Sequence, residues 1–194
     1  MSQNSWIRSH LRAPVYSEAL ITKDYYVVPG YCANISEGGC LLYSAENKND
    51  NDVFSVMFLL THYPDFSQLI RTDLFSLNRG MLKNTPIRGK VVVRRNAPAN
   101  IPGFPFPYLH GCKFLNITKE EKELIDNYVK RYARNIVFVL NLFEGMDVNN
   151  TNVSLIRSLT RFLGYSVDMK LPFVRQKLLH DYQSLETGFR LSGV

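Results

Sequence analysis

Two short groups of residues near the start of the chain have types and spacings suited to ligand chemistry. The first is Arg8-Ser-His-Leu-Arg12 and the second is Asn34-Ile-Ser36-Glu-Gly38-Gly39. An arginine ends in a planar fork that pairs bidentately with phosphate oxygens or with O6 and N7 of guanine, and its flat face stacks on a purine. Lysine would supply only a point charge. A four-residue spacing lets one short arm bring two guanidiniums to the same ligand if the arm wraps. Asn34 and Ser36 carry short side chains that hydrogen-bond a base edge at close range. Gly39 has no Cβ, so its backbone can approach a ligand or take positive φ. His10, between the two arginines, reads as a solvated arm residue.

Spacing alone is a weak signal. With 13 arginines in 194 residues, about one Arg-x-x-x-Arg pair arises by chance. A second pair, Arg157-Ser-Leu-Thr-Arg161, lies in a helical pattern with no Asn-x-Ser-x-x-Gly after it. What distinguishes Arg8 and Arg12 is the second motif, in order and within two strands' length. Taken by itself, Asn34–Gly39 also reads as an ordinary turn, since Asn, Ser and Gly-Gly favour turns.

Together the two motifs resemble those of the PilZ family, bacterial β-barrel domains that bind the second messenger cyclic di-GMP. The family pattern is Arg-x-x-x-Arg, a hairpin, then Asp/Asn-x-Ser-x-x-Gly, and every fixed position is filled here. The resemblance covers roughly residues 7–130. It implies that Arg8 and Arg12 clasp phosphates and stack on guanine, that Asn34 and Ser36 bind a base edge, and that Gly38 and Gly39 allow close approach. It implies a ligand, cyclic di-GMP, and no cofactor. It also implies a switch in which arm 1–12 is mobile without ligand and folds over the barrel with it. Only seven residues precede Arg8, so the signal is expected to leave through the barrel surface, the loop 96–107 or the C-terminal helices. The receiver would be a protein partner in a process such as motility or biofilm control.

The elements that must position these residues follow from pattern. The expected organisation is a flexible arm at 1–12, a PilZ-like barrel at 13–117 and a helical extension at 118–194, a mainly β chain with α. Ala13–Ile21 and Tyr25–Ala33 alternate as a hairpin turning at Thr22–Asp24, and Pro29-Gly30 marks an edge or bulge. Cys40–Tyr43, Val53–Leu60, Ile87–Arg95 and Tyr108–Leu115 read as strands, and Gln68–Leu77 as another within an insertion. This makes a six- or seven-stranded antiparallel barrel. Thr118-Lys-Glu-Glu121 is a capping box that starts a long helix ending near Gly145. At 1.5 Å per residue it would span roughly 39 Å, longer than a small barrel needs. Val153–Leu163 and Pro172–Glu186 read as two further helices, closed by Gly164 and Gly188. The surplus is expected to pack on the C-terminal segment or on a second copy of the protein, a homo-oligomer contact.

Composition narrows the classes. The chain is 45% hydrophobic, yet it has no run of about eighteen apolar residues and no signal-peptide core. A cytoplasmic protein with no membrane span is expected. Cys32, Cys40 and Cys112 lack metal-ligand or disulfide-framework spacing and read as reduced core thiols. The net charge of +6 favours an anionic partner. From Arg71 to Arg95 seven basic residues face one acid, Asp73. That cluster reads as a solvated face or as cations flanking the ligand pocket. A nucleic-acid-binding barrel is disfavoured because aromatic residues do not interleave with it. Scattered histidines, and no nucleophile elbow or phosphate-binding glycine loop, argue against an enzyme and against a metal site. The alternative to a nucleotide receptor is a docking module that has the fold without the ligand.

Overall fold

The computed structural model describes residues 12–99, 101–144, 150–166 and 168–189. Six strands form: β1 (Ala13–Lys23), β2 (Tyr26–Ser36), β3 (Gly39–Ser44), β4 (Val53–Thr61), β5 (Asn84–Pro98) and β6 (Tyr108–Asn116). They close into an antiparallel barrel in the order β1-β2-β3-β6-β5-β4. The seam is β1 on β4, from Ala19 opposite Phe58 to Thr22 opposite Ser55. Closure leaves no strand edge to be shielded.

Alternation decides which side chains fill the barrel. In β4, Phe54, Val56, Phe58 and Leu60 are buried while Val53 and Leu59 are exposed, the period-two pattern of a strand with one apolar face. Ile21, Ile35, Leu42, Ile87, Val91 and Val93 add to the same interior. Cys32, Cys40 and Cys112 are all free and buried there, as their spacing suggested. Pro29 pairs with Leu20 of β1, and the pairing of β2 with β3 begins only at Gly30, opposite Ser44. Its missing N–H therefore costs no rung between β2 and β3.

Several boundaries differ from the sequence pattern. The β1–β2 turn is Asp24-Tyr25, with Asp24 left-handed at φ 55°. The second turn is only Glu37-Gly38. Asn34 and Ser36 are still strand residues, because pairing continues through Asn34–Leu41, Ile35–Cys40 and Ser36–Gly39 after a bulge beyond Cys32. The loop after β5 packs on the outer barrel face, where Phe104 meets Tyr31 and Tyr43 edge-on at centroid distances of 5.7 and 5.0 Å.

The expected strand at Gln68–Leu77 is a helix. Residues Arg71–Ser76 form α1, flanked by 3-10 turns at Phe66–Gln68 and Arg79–Met81. Side-chain caps favour the helical turns: Asp65 accepts from the Ser67 N–H and Asn78 from the Gly80 N–H. The stretch also lacks the alternation a strand needs, with only Leu74 of α1 buried.

Two compact units emerge. One holds the barrel, through His62 and from Lys83 to Val129; the other holds Tyr63–Leu82 and the chain from Lys130. The division falls inside α2 (Lys119–Glu144). In the helical unit, Phe66, Leu74, Tyr132, Ile136 and Val139 are buried together with residues of α3 (Asn150–Leu163) and α4 (Leu171–Phe189). Gly164, at φ 98°, ends α3. Gly188 lies within α4 and does not end it. Among the described residues, no helix is long and apolar enough to cross a membrane.

Candidate functional site

The pairing of β1 with β2 brings the two motifs to one end of the barrel. Ala13 lies opposite Ile35 and Pro14 opposite Asn34, so Arg12 enters β1 beside Ser36. The Arg12 guanidinium acts electrostatically on the Cys40 thiol of β3. Directly after this pairing β1 bulges between Pro14 and Ser17, and Tyr16 there is left-handed at φ 52°. A bulge re-aims the chain entering a strand. The Tyr128 hydroxyl of α2 donates to the Pro14 carbonyl at 2.6 Å and holds that entry. Nothing in the sequence pattern assigned Tyr128 this position. Arg8 and His10 lie outside the described residues.

Each residue of the second motif has a distinct environment. Ser36 is 2% exposed, and its hydroxyl donates to the Gly39 carbonyl at 3.1 Å across the tight turn. The Gly38 carbonyl accepts from the Phe114 N–H at 3.1 Å, tying the turn to β6. Gly39 faces Lys113 and needs its missing Cβ, since that atom would lie 2.0 Å from the Cys112 carbonyl oxygen. Neither glycine takes positive φ; the demand on Gly39 comes from close packing against β6. The Asn34 Oδ1 atom is buried and has no hydrogen-bond partner, an uncommon state for a buried carbonyl.

Beside the Glu37-Gly38 turn lies a hollow of about 240 Å³, lined by Glu37, Gly38, Lys113, Phe114, Asn116 and Lys122 among others. The sequence assigns neither Lys113 nor Lys122 a binding role, although Gly111-Cys112-Lys113-Phe114 resembles the last strand of the PilZ barrel. A usable signal existed for Lys122, which stands in the first turns of α2, where acidic residues are the favoured choice. The basic run from Arg71 to Arg95 does not form this wall. Arg71 bonds Asn152 and Arg79 bonds Tyr63 within the helical unit. Arg94 donates to Asn51 Oδ1 at 3.1 Å. Arg88 and Lys90 instead border a separate groove of about 560 Å³ over β1, β4 and β5.

Beneath the site the thiols are inert. The Cys112 hydrogen bond favours a Cys40 thiolate, but the Cys32 contact and burial outweigh it, so Cys40 is held well above its ordinary value. The hydrogen bond with Cys40, then burial, push Cys112 up strongly. Among the described residues no cluster of histidine, cysteine and acidic side chains can hold a metal ion. The site offers cations, backbone dipoles and one unpaired amide oxygen, groups suited to binding.

Comparison with known proteins agrees with this architecture. The PilZ domain family matches residues 7–131. The chain belongs to the PilZ domain family. Similar solved structures include the Bacillus subtilis inhibitor of motility MotI/DgrA, at 14% identity and TM-score 0.46, over 68% of this chain and 51% of that one. The PilZ domain of Escherichia coli YcgR with c-di-GMP matches at 11% identity and TM-score 0.44, over 68% of this chain and 97% of that one. MrkH of K. pneumonia matches at 12% identity and TM-score 0.42, over 67% and 50%. The match thus spans about half the length of MotI and of MrkH. No curated protein matches by sequence.

Proposed function

We propose that the protein is a cyclic di-GMP receptor whose site is built from Arg8, Arg12, Asn34, Ser36, Gly38 and Gly39. The observation that carries this reading is the pairing of Pro14 with Asn34. It sets Arg12 beside a complete Asn-x-Ser-x-x-Gly motif in a chain that belongs to the PilZ family. Arg8 and Arg12 clasp the phosphates and stack on guanine, while Asn34 Oδ1 accepts from a guanine N–H. The Ser36 hydrogen is already given to Gly39, so Ser36 offers the ligand its oxygen as acceptor. Ligand ordering of arm 1–12 is the switch, and its contacts must exceed the entropy lost on ordering. The output is docking to a protein partner in the cytoplasm, with the helices beyond the family match as the surface available for it.

Calorimetric titration of cyclic di-GMP into the full chain tests the reading, with GTP and the Arg8→Ala/Arg12→Ala variant as controls. Saturable binding by the wild type, lost in the folded variant and absent with GTP, is the expected result. No binding by folded wild-type protein overturns it and leaves a docking module without nucleotide.

A further inference from the structure

We propose that Lys113 and Lys122 form a second cationic wall of the ligand site and take one phosphate of the bound dinucleotide, a role that rests on the receptor reading above. Three observations converge on them. Lys113 stands directly opposite Gly39 on the neighbouring strand, and Lys122 comes from a different element, α2. Both line the same hollow of about 240 Å³ against Gly38. Both are exposed, and among the described residues neither side chain is held by a hydrogen bond or ion pair.

The placement of Lys122 is unfavourable for the helix alone. Free N–H groups make the start of a helix positive, so a cation there is disfavoured. Lys119, in the same turn, is compensated by Glu123 four residues on, at 3.9 Å. Lys122 has no such partner and borders the hollow. An anion bound there meets two lysines against one acid, Glu37. It would also lie near the start of α2, which itself favours negative charge.

The larger groove has a similar balance, Arg88 and Lys90 against Glu121, but no residue of Asn34–Gly39 lines it. The Glu121 carboxylate on its rim is engaged with the Arg88 and Thr118 N–H groups, both at 3.0 Å. A cyclic dinucleotide has two phosphates on opposite sides of one ring. Arg12 on one side of the Glu37-Gly38 turn and the lysines on the other match that division. The lysines act as point charges, tolerant of geometry, and the arginines as the oriented forks.

The test is titration of cyclic di-GMP into wild type, Lys113→Ala, Lys122→Ala, the double alanine variant and Lys122→Arg, at low and high salt. Each single alanine should weaken binding roughly fivefold to tenfold, and the double variant more, as expected for loss of a charged contact. Lys122→Arg should restore binding. The affinity of the double variant should depend less steeply on salt than that of the wild type, with a thermal midpoint no lower than the wild type's. Wild-type binding matched by the double variant overturns the lysine wall and leaves the receptor reading intact. Weaker binding with an unchanged salt dependence also overturns it, because the lysines then act through structure. Failure of the folded wild type to bind removes the receptor reading, and the lysine wall with it.

Discussion

Gly39 and Cys112 are packed so closely that a single added carbon cannot fit: a Cβ on Gly39 would lie 2.0 Å from the Cys112 carbonyl oxygen and 3.0 Å from its carbon. The obstacle is backbone on a paired strand, which cannot move without parting β3 from β6. Gly39→Ala should therefore destabilise the barrel by roughly 3 kcal/mol or more, read as a lower urea midpoint. A midpoint within experimental error of wild type would refute the packing argument. The consequence for the site is practical. Lost ligand binding in a Gly39 variant reports on the barrel as much as on the ligand.

Asn135 makes a comparable demand in the helical unit. It is fully buried; its Oδ1 accepts from the Phe66 N–H at 3.0 Å and its amide donates to the Pro64 carbonyl at 2.9 Å. These bonds hold the start of the Tyr63–Leu82 segment to α2. Asn135→Ala leaves two backbone groups unsatisfied and should cost about 2–4 kcal/mol. Asn135→Asp keeps the acceptor but sets a buried, unpaired carboxylate against the Pro64 carbonyl, and should cost at least as much as Asn135→Ala. Equilibrium unfolding of the three proteins checks the order.

His110 predicts how stability follows pH. It is fully buried, with Nε2 3.0 Å from Ser44 Oγ and no partner on Nδ1. Burial lowers its pKa from the ordinary 6.5; the Glu46 carbonyl opposes this, Lys48 reinforces it and Asp52 opposes it. The unfolded state thus binds the proton more readily, and stability falls as pH drops below about 6.5. His62, lowered by burial and by Lys83, adds in the same direction. Asp65 acts elsewhere: the Ser67 hydrogen bond, helped by Arg131 and Arg134, lowers it from 3.8, so its share is lost only in stronger acid. His110→Gln should flatten the change in urea midpoint between pH 8 and pH 5.5. An unchanged slope would show that His110 does not carry it.

The barrel was legible because its interior is written in alternation, as in Phe54, Val56, Phe58 and Leu60, and because the capping box at Thr118 and Glu121 forms as its spacing implies. The helix at Arg71–Ser76 was not legible. Leu74 is its one buried residue, so no period repeats, and its course depends on distant contacts such as Asn135 with Phe66. The second motif is legible by residue type, but its geometry is not. Asn and Ser suggest a turn, and only pairing with Leu41 and Gly39 shows that Asn34 and Ser36 are strand residues. Lys113 and Tyr128 were hidden because their roles depend on which strand and helix lie alongside.

The three thiols give a simple test of barrel integrity. All are buried, and the hydrogen bond between Cys40 and Cys112, with burial, holds Cys112 far above its ordinary value. A thiolate is the reactive form, so native protein at pH 8 should react with a thiol reagent only as fast as it unfolds. All three cysteines should titrate promptly in denaturant. Rapid labelling of the native state would contradict the packing of β3 against β6.

Asn34 separates a residue kept for binding from one kept for stability. Its Oδ1 is buried without a partner, a condition that costs about 1–3 kcal/mol. Asn34→Ala removes that atom and leaves the strand pairing of β2 with β1 and β3 in place. The thermal midpoint should therefore hold or rise. If the same oxygen accepts from a guanine N–H, affinity for cyclic di-GMP should fall at least roughly tenfold, about 1.4 kcal/mol. The two effects have opposite signs, and a residue with a purely structural role cannot produce that combination. A lower midpoint with unchanged affinity would assign Asn34 to the fold and leave Arg12 to define this end of the site.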